Sequence, residues 1–153
     1  MATNPHIAAL TKEDLRLFLR DFAPNNILLD NVQFTSEELE KAINMAADEY
    51  QVMPPLIGGS ISSIPRHILM LGASAWLMKS ESFLQLRNQA TYQDADIAPI
   101  GIDDKHQLYL ALAARLKEEW NATARAYKQS RNMESSYGTI SSGYRNVGRF
   151  HNN

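Results

Sequence analysis

Apolar and polar positions alternate along this chain with helical periods, and two of the helix starts are spelled almost identically. Leu10-Thr11-Lys12-Glu13-Asp14-Leu15 and Phe34-Thr35-Ser36-Glu37-Glu38-Leu39 each place a threonine cap three residues before an acid. An apolar pair flanks each cap in the positions of a hydrophobic staple. The acids fall in the first turn, where they meet the positive end of the helix dipole. The pattern predicts a first helix over about 12–21 with Leu15, Phe18, Leu19 and Phe22 inward, ended by Pro24-Asn25-Asn26. It predicts a second over about 36–51 that buries Leu39, Ala42, Ile43, Ala46 and Tyr50, stopped by Pro54-Pro55. The segment 27–34 between them reads as extended or irregular.

A third helix is expected over about 65–90, with Pro65 suited to its first turn. Ile68, Leu69, Leu71, Ala73, Ala75, Trp76 and Leu77 make it apolar on most faces, the signature of a buried central helix. A fourth is expected over about 104–133, where neither Gly nor Pro occurs. Tyr109, Leu112, Leu116, Trp120, Ala124 and Tyr127 recur along it in steps of three and four. At about 43 Å it is longer than helices 1 and 2 can cover, so part of it should project or pack on a neighbour. Tyr109, Leu116, Trp120 and Tyr127 are therefore candidates for an inter-subunit helix face. The connection 91–103 is long for a helical hairpin, and Ile97, Ile100 and Ile102 would allow a short β-ribbon in it. The fold class expected is all-α: a helical bundle around a long antiparallel pair (about 65–90 and 104–133), with an extended C-terminal tail. The helical domain takes residues 1–133 and the tail 134–153.

The tail is punctuated by Ser and Gly yet carries Tyr137, Ile140, Tyr144, Val147 and Phe150. A purely disordered tail has few aromatics. These residues, with Arg145 and Arg149, have the composition of a docking segment, because Tyr, Phe and Arg are common interface anchors. The same side chains could stack on bases and contact phosphates. The domain is not basic overall, which favours protein docking over nucleic acid.

Composition changes this picture little, and charge distribution changes it more. With 153 residues, 44 % hydrophobic and 21 % charged, the chain has the content of one ordinary globular domain. It has no cysteine, which removes disulfides, thiolate metal sites and cysteine nucleophiles. The net charge is −2, but residues 1–50 carry four bases against nine acids, and residues 125–153 carry five bases against one acid. Ends of opposite sign suit subunits that assemble head to tail. No membrane span or secretory leader is expected: the most apolar stretch, 64–78, is short of the roughly 18–20 residues required and contains Arg66 and His67.

Chemistry-bearing motifs are missing from the sequence. His6, His67, His106 and His151 have no metal-ligand spacing. Asp94, Asp96, Asp103, Asp104 and His106 form the densest acidic cluster, but without EF-hand spacing, and Asp103 or Asp104 is explained as a helix cap. Gly58-Gly59 lacks the lysine and the strand of a phosphate loop. No nucleophile elbow or dinucleotide fingerprint occurs. No catalytic residue, metal ligand or cofactor is expected, and the chain reads as a non-enzyme.

Several segments in order resemble the head–tail connector proteins of tailed bacteriophages, the portal adaptor or neck family. They are Ile64-Pro65-Arg66-His67-Ile68-Leu69-Met70-Leu71-Gly72 opening a core helix, then Leu86-Arg87-Asn88-Gln89-Ala90-Thr91-Tyr92-Gln93-Asp94. Lys105-His106-Gln107-Leu108-Tyr109 then leads a long helix through Glu118-Glu119-Trp120 to the Ser135-Ser136-Tyr137-Gly138 tail. The likeness spans roughly residues 64–145. One departure is Ala95-Asp96-Ile97 after Asp94, where the family often has a glycine pair. The resemblance implies a structural virion protein, assembled in the host cytoplasm, whose subunits form a ring of about twelve beneath the portal. Genomic DNA would pass the channel without specific binding. The arm, anchored by Tyr137 and Tyr144, would dock on the portal protein or on neighbouring neck and tail proteins. A different neck or tail-completion protein, or a small helical nucleic-acid-binding or regulatory protein, are the alternatives.

Overall fold

A computed structural model describes residues 9–27, 29–57, 61–88 and 105–137. Among them every regular element is helical: α1 (Lys12–Leu19), α2 (Ser36–Val52), α3 (Arg66–Asn88) and α4 (Lys105–Tyr137), with short 3₁₀ turns at Ala23–Asn25 and Ile61–Ser63. The all-α expectation holds, and α3 and α4 form the long pair at its centre. α3 is the shared helix, packing along α4 and against α2 and α1.

Both capping boxes form. Thr11 Oγ1 accepts from the Asp14 amide at 3.2 Å while Asp14 Oδ2 accepts from the Thr11 amide at 3.2 Å. Glu38 Oε2 accepts from the Thr35 amide at 2.7 Å, and Thr35 Oγ1 accepts from the Glu38 amide at 3.3 Å. The staple pairs Leu10/Leu15 and Phe34/Leu39 are all buried. Arg66 Nη1 reaches Asp14 at 3.7 Å, bringing the starts of α1 and α3 together.

α1 is shorter than its sequence pattern. It stops at Leu19 because Arg20 turns left-handed (φ 57°), its amide donating back to the carbonyls of Arg16 and Leu17. The turn leaves Phe18 exposed instead of inward, while Leu15 is buried and Leu19 packs at the edge of the core. It also carries Asp21 into the interior. Asp21 Oδ2 accepts from Arg16 Nη1 at 2.9 Å and from the Phe34 amide at 2.9 Å. Its Oδ1 accepts from Asn26 Nδ2 at 2.7 Å and from the Gln33 amide. A single carboxylate thereby gathers the α1–α2 connection, which sequence reads only as irregular.

α2 buries Leu39, Ala42, Ile43, Ala46 and Tyr50 as its periodicity predicts, and Ala47 with them. Its end is closed from α4: Lys128, fully buried, donates from Nζ to the carbonyls of Tyr50 and Met53 and lies 4.4 Å from the Tyr50 ring centroid. A cation there meets the negative end of the α2 dipole. Burial pushes the Lys128 pKa below the ordinary lysine value.

α3 begins one residue after Pro65, whose carbonyl accepts from the amides of Ile68 and Leu69. Its last described residue is Asn88. Ile68, Leu69, Ala73, Ala75 and Leu77 are buried, but Trp76 is 37 % exposed. α4 runs past 133 to Tyr137, with Arg131 Nη1 paired to Glu134 Oε2 at 3.3 Å across the turn where the sequence suggested a break. Serine tolerates a helix end, and no Gly interrupts until 138. At 33 residues α4 is about 50 Å long.

Candidate docking surface

Of the α4 stripe offered for a neighbouring subunit, Trp120 is covered inside the subunit and the other three residues are covered in part. Trp120 is fully buried, and Tyr109, Leu116 and Tyr127 are half-buried and packed on the same core. The cause lies on α3: Gly72 leaves a notch that the indole fills. A Cβ there would stand 2.6 Å from Trp120 Nε1 and 3.0 Å from the Cβ of Ala46. Sequence periodicity identifies a face but cannot say which partner covers it, and here the partner is α3.

What α4 does leave exposed is a different set: Leu108, Leu110, Leu112 and Met133. Phe83, Leu84 and Leu86 at the end of α3 are exposed as well. Between α2, α3 and α4 lies an open groove of about 670 Å³. Gly72, Ala75 and Ala113 form its floor, and Met45, Val52, Trp76 and Leu110 its apolar walls. Asp48 and Glu49 stand on the α2 edge, with Lys79 and Lys117 on the α3 and α4 edges. Lys117 Nζ bonds Glu49 Oε1 across the groove and sits 4.0 Å from the Trp120 ring centroid. Small residues on the floor keep the groove deep, and the exposed walls mean that its apolar surface is in water. A contiguous apolar surface rimmed by charge is the usual form of an interaction site.

This surface was not named from sequence. Its signal was present in Met45 and Val52, two apolar residues seven apart on α2, beside the buried stripe and flanked by Asp48 and Glu49. They widen the apolar face of α2 beyond what α3 can cover.

Of the candidate docking residues, Tyr137 is the last residue of α4. Ile140, Tyr144, Arg145, Val147, Arg149 and Phe150 lie outside the described residues, as do Asp94, Asp96, Asp103, Asp104 and the 97–102 ribbon. His106 is on α4, half-buried, its Nδ1 without a hydrogen-bond partner among the described residues. His67 is exposed. Among the described residues no group of three or more His, Asp or Glu side chains could hold a metal ion. None of the described helices is long and apolar enough to cross a membrane. Beyond Lys128, residues 129–135 of α4 are all exposed.

Compared with family models, with curated proteins and with solved structures, the chain matches none.

Proposed function

We propose that the protein is a structural, non-enzymatic subunit of a virion neck: a ring-forming head–tail connector that binds the portal and continues the DNA channel. In this reading it acts by docking its C-terminal residues on a partner. The observation that carries the reading is the end of α4. From its last buried residue, Lys128, to Tyr137 the helix continues for about 13 Å with its described side chains in water. Nothing in the subunit's own core needs that length. In this reading the exposed end of α4 is what offers residues 138–153 to another chain.

The cost and gain of such an arm are consistent with assembly. Fixing a docked segment costs roughly 1–2 kcal/mol per residue in backbone entropy, which burial of Ile140, Tyr144, Val147 and Phe150 on the partner must exceed. In a closed ring the gain recurs at every subunit, and each docked arm raises the effective concentration of the next. A nucleic-acid role has less support, because Lys128 is buried on carbonyls and Arg131 is paired with Glu134, shrinking the basic footprint of residues 125–153.

The test is the mass in solution of the full chain and of a chain ending at Tyr137, each alone and mixed with a portal ring. A ring-sized complex with portal that requires residues 138–153 is the expected result. A chain that ignores portal with or without those residues would overturn the reading, and salt-sensitive binding to DNA would replace it.

A further inference from the structure

We infer that residues 10–27 and 29–34 form a clip that opens and unfolds as one unit while α2, α3 and α4 stay folded.

Hydrogen bonding inside the clip closes on itself. Thr11 and Asp14 bond each other at the start of α1. Arg16 donates to the carboxylate and the carbonyl of Asp21 and to the Phe34 carbonyl. Asp21 accepts in turn from the Asn26 side chain and from the amides of Gln33 and Phe34. The side-chain amides of Asn25 and Asn26 donate to the carbonyls of Arg20 and Asn31. All these partners lie between residues 11 and 34. Breaking the Asp21 knot therefore releases α1 and the connection together. An eight-residue helix set free from the body is too short to persist alone.

The attachment of the clip to the body is thin. Leu15 is the one buried residue of α1, while Leu17 and Phe18 are exposed. Leu10 and Phe34, at the two ends of the clip, are its other buried apolar anchors. By contrast α2 buries six residues and α3 ten, so these helices keep a core when the clip leaves. Segments with few buried apolar contacts open at a lower free energy than the whole protein.

The seam between clip and body is bridged by charge. An open cleft of about 460 Å³ runs along it, lined by Leu10, Thr11 and Lys12 on the clip and by Glu40, Ile43 and Ile61 on the body. Lys12 Nζ meets Glu40 Oε1 across it at 3.0 Å, and Arg66 Nη1 meets Asp14 Oδ2 at 3.7 Å. Both pairs are open to water, where such pairs contribute little and salt screens them. Opening bares Ile43 and Ile61, so the clip controls access to that side of α2.

Native-state amide hydrogen exchange of the full chain reads the opening. The reporters are the amides of Leu15, Asp21, Gln33 and Phe34, bonded to the Thr11 carbonyl, the Arg16 carbonyl and the Asp21 carboxylate. They should share one free energy of opening, lower than that at the centre of α3. Trp120→Phe weakens a site in the body that the opened clip leaves intact. It should speed exchange at the centre of α3 by about tenfold and leave the four reporters unchanged. The second variant is Lys12→Cys/Glu40→Cys, joined by a flexible bis-maleimide in a chain with no other cysteine. Compared with the same variant unjoined, the link should slow all four reporters by about tenfold or more. If Trp120→Phe speeds the reporters as much as α3, the clip has no opening of its own. If the link slows Leu15 and not Gln33 and Phe34, α1 frays by itself. Either result overturns the inference.

Discussion

Gly72 and Trp120 occupy one space: the indole Nε1 lies where a side chain on residue 72 would have to be, 2.6 Å from the position of its Cβ. Gly72→Ala sets a helix-propensity gain of about 1 kcal/mol against overpacking of about 1–3 kcal/mol. The ring it strikes is fully buried, so overpacking wins. The thermal midpoint should fall by several degrees. Trp120→Phe removes the struck nitrogen, which has no hydrogen-bond partner among the described residues. The double variant Gly72→Ala/Trp120→Phe should therefore be less destabilised than the two single losses added together. Additive losses in denaturant titrations would show that the two positions do not share this space.

Asp21 organises the α1–α2 connection through four donors, one of them the half-buried Arg16 guanidinium. Asp21→Ala leaves two backbone amides without their acceptor and removes the counter-charge of Arg16, which keeps the carbonyls of Asp21 and Phe34, so a loss of about 3 kcal/mol is expected, the low end for a broken buried pair. Amide exchange at Gln33 and Phe34 should accelerate more than exchange along α3. Uniform acceleration would mean that Asp21 contributes only to global stability.

Lys128→Met keeps the length of the side chain and removes its donors. The carbonyl of Met53 loses Lys128 as a donor, and α2 loses the cation at its C-terminal end. A cost of about 1–3 kcal/mol is expected for buried acceptors left unmet. Lys128→Arg is no remedy, because a planar guanidinium does not fit a site built for a compact ammonium. A Met variant as stable as the parent would show that desolvating the charge had cancelled the two bonds.

Asp14 is held below its ordinary carboxyl pKa of 3.8, mainly by its hydrogen bonds with Thr11 and further by Arg66. The unfolded chain therefore binds this proton more readily than the folded one. The stabilisation is complete above the ordinary value and is lost as pH falls through the lower folded value. Stability curves between pH 6 and pH 2 should fall less steeply for Asp14→Asn than for the parent, a range in which Asp14 changes charge only in the parent. Parallel curves would remove the capping box from the acid response.

The helix starts were legible in the sequence because everything that makes them is local. Thr11 with Asp14 and Thr35 with Glu38 close on themselves within four residues, and the α2 stripe from Leu39 to Tyr50 has one apolar side to turn inward. The all-helical class followed from the same short-range rules, although α4 runs past the expected end at 133 to Tyr137. Tertiary structure decided the remainder, because it depends on residues far apart in the chain. Gly72 chose which side of α4 faces in, by admitting Trp120 and bringing Tyr109, Leu116 and Tyr127 partly onto the same core. Lys128, read as one base in a basic end, became the cap of a helix more than seventy residues away. The groove exists because Met45, Val52, Trp76 and Leu110 come from three helices whose small residues hold its floor open. Periodicity along one helix records that a face is apolar; only packing determines whether that face is covered or left for another chain.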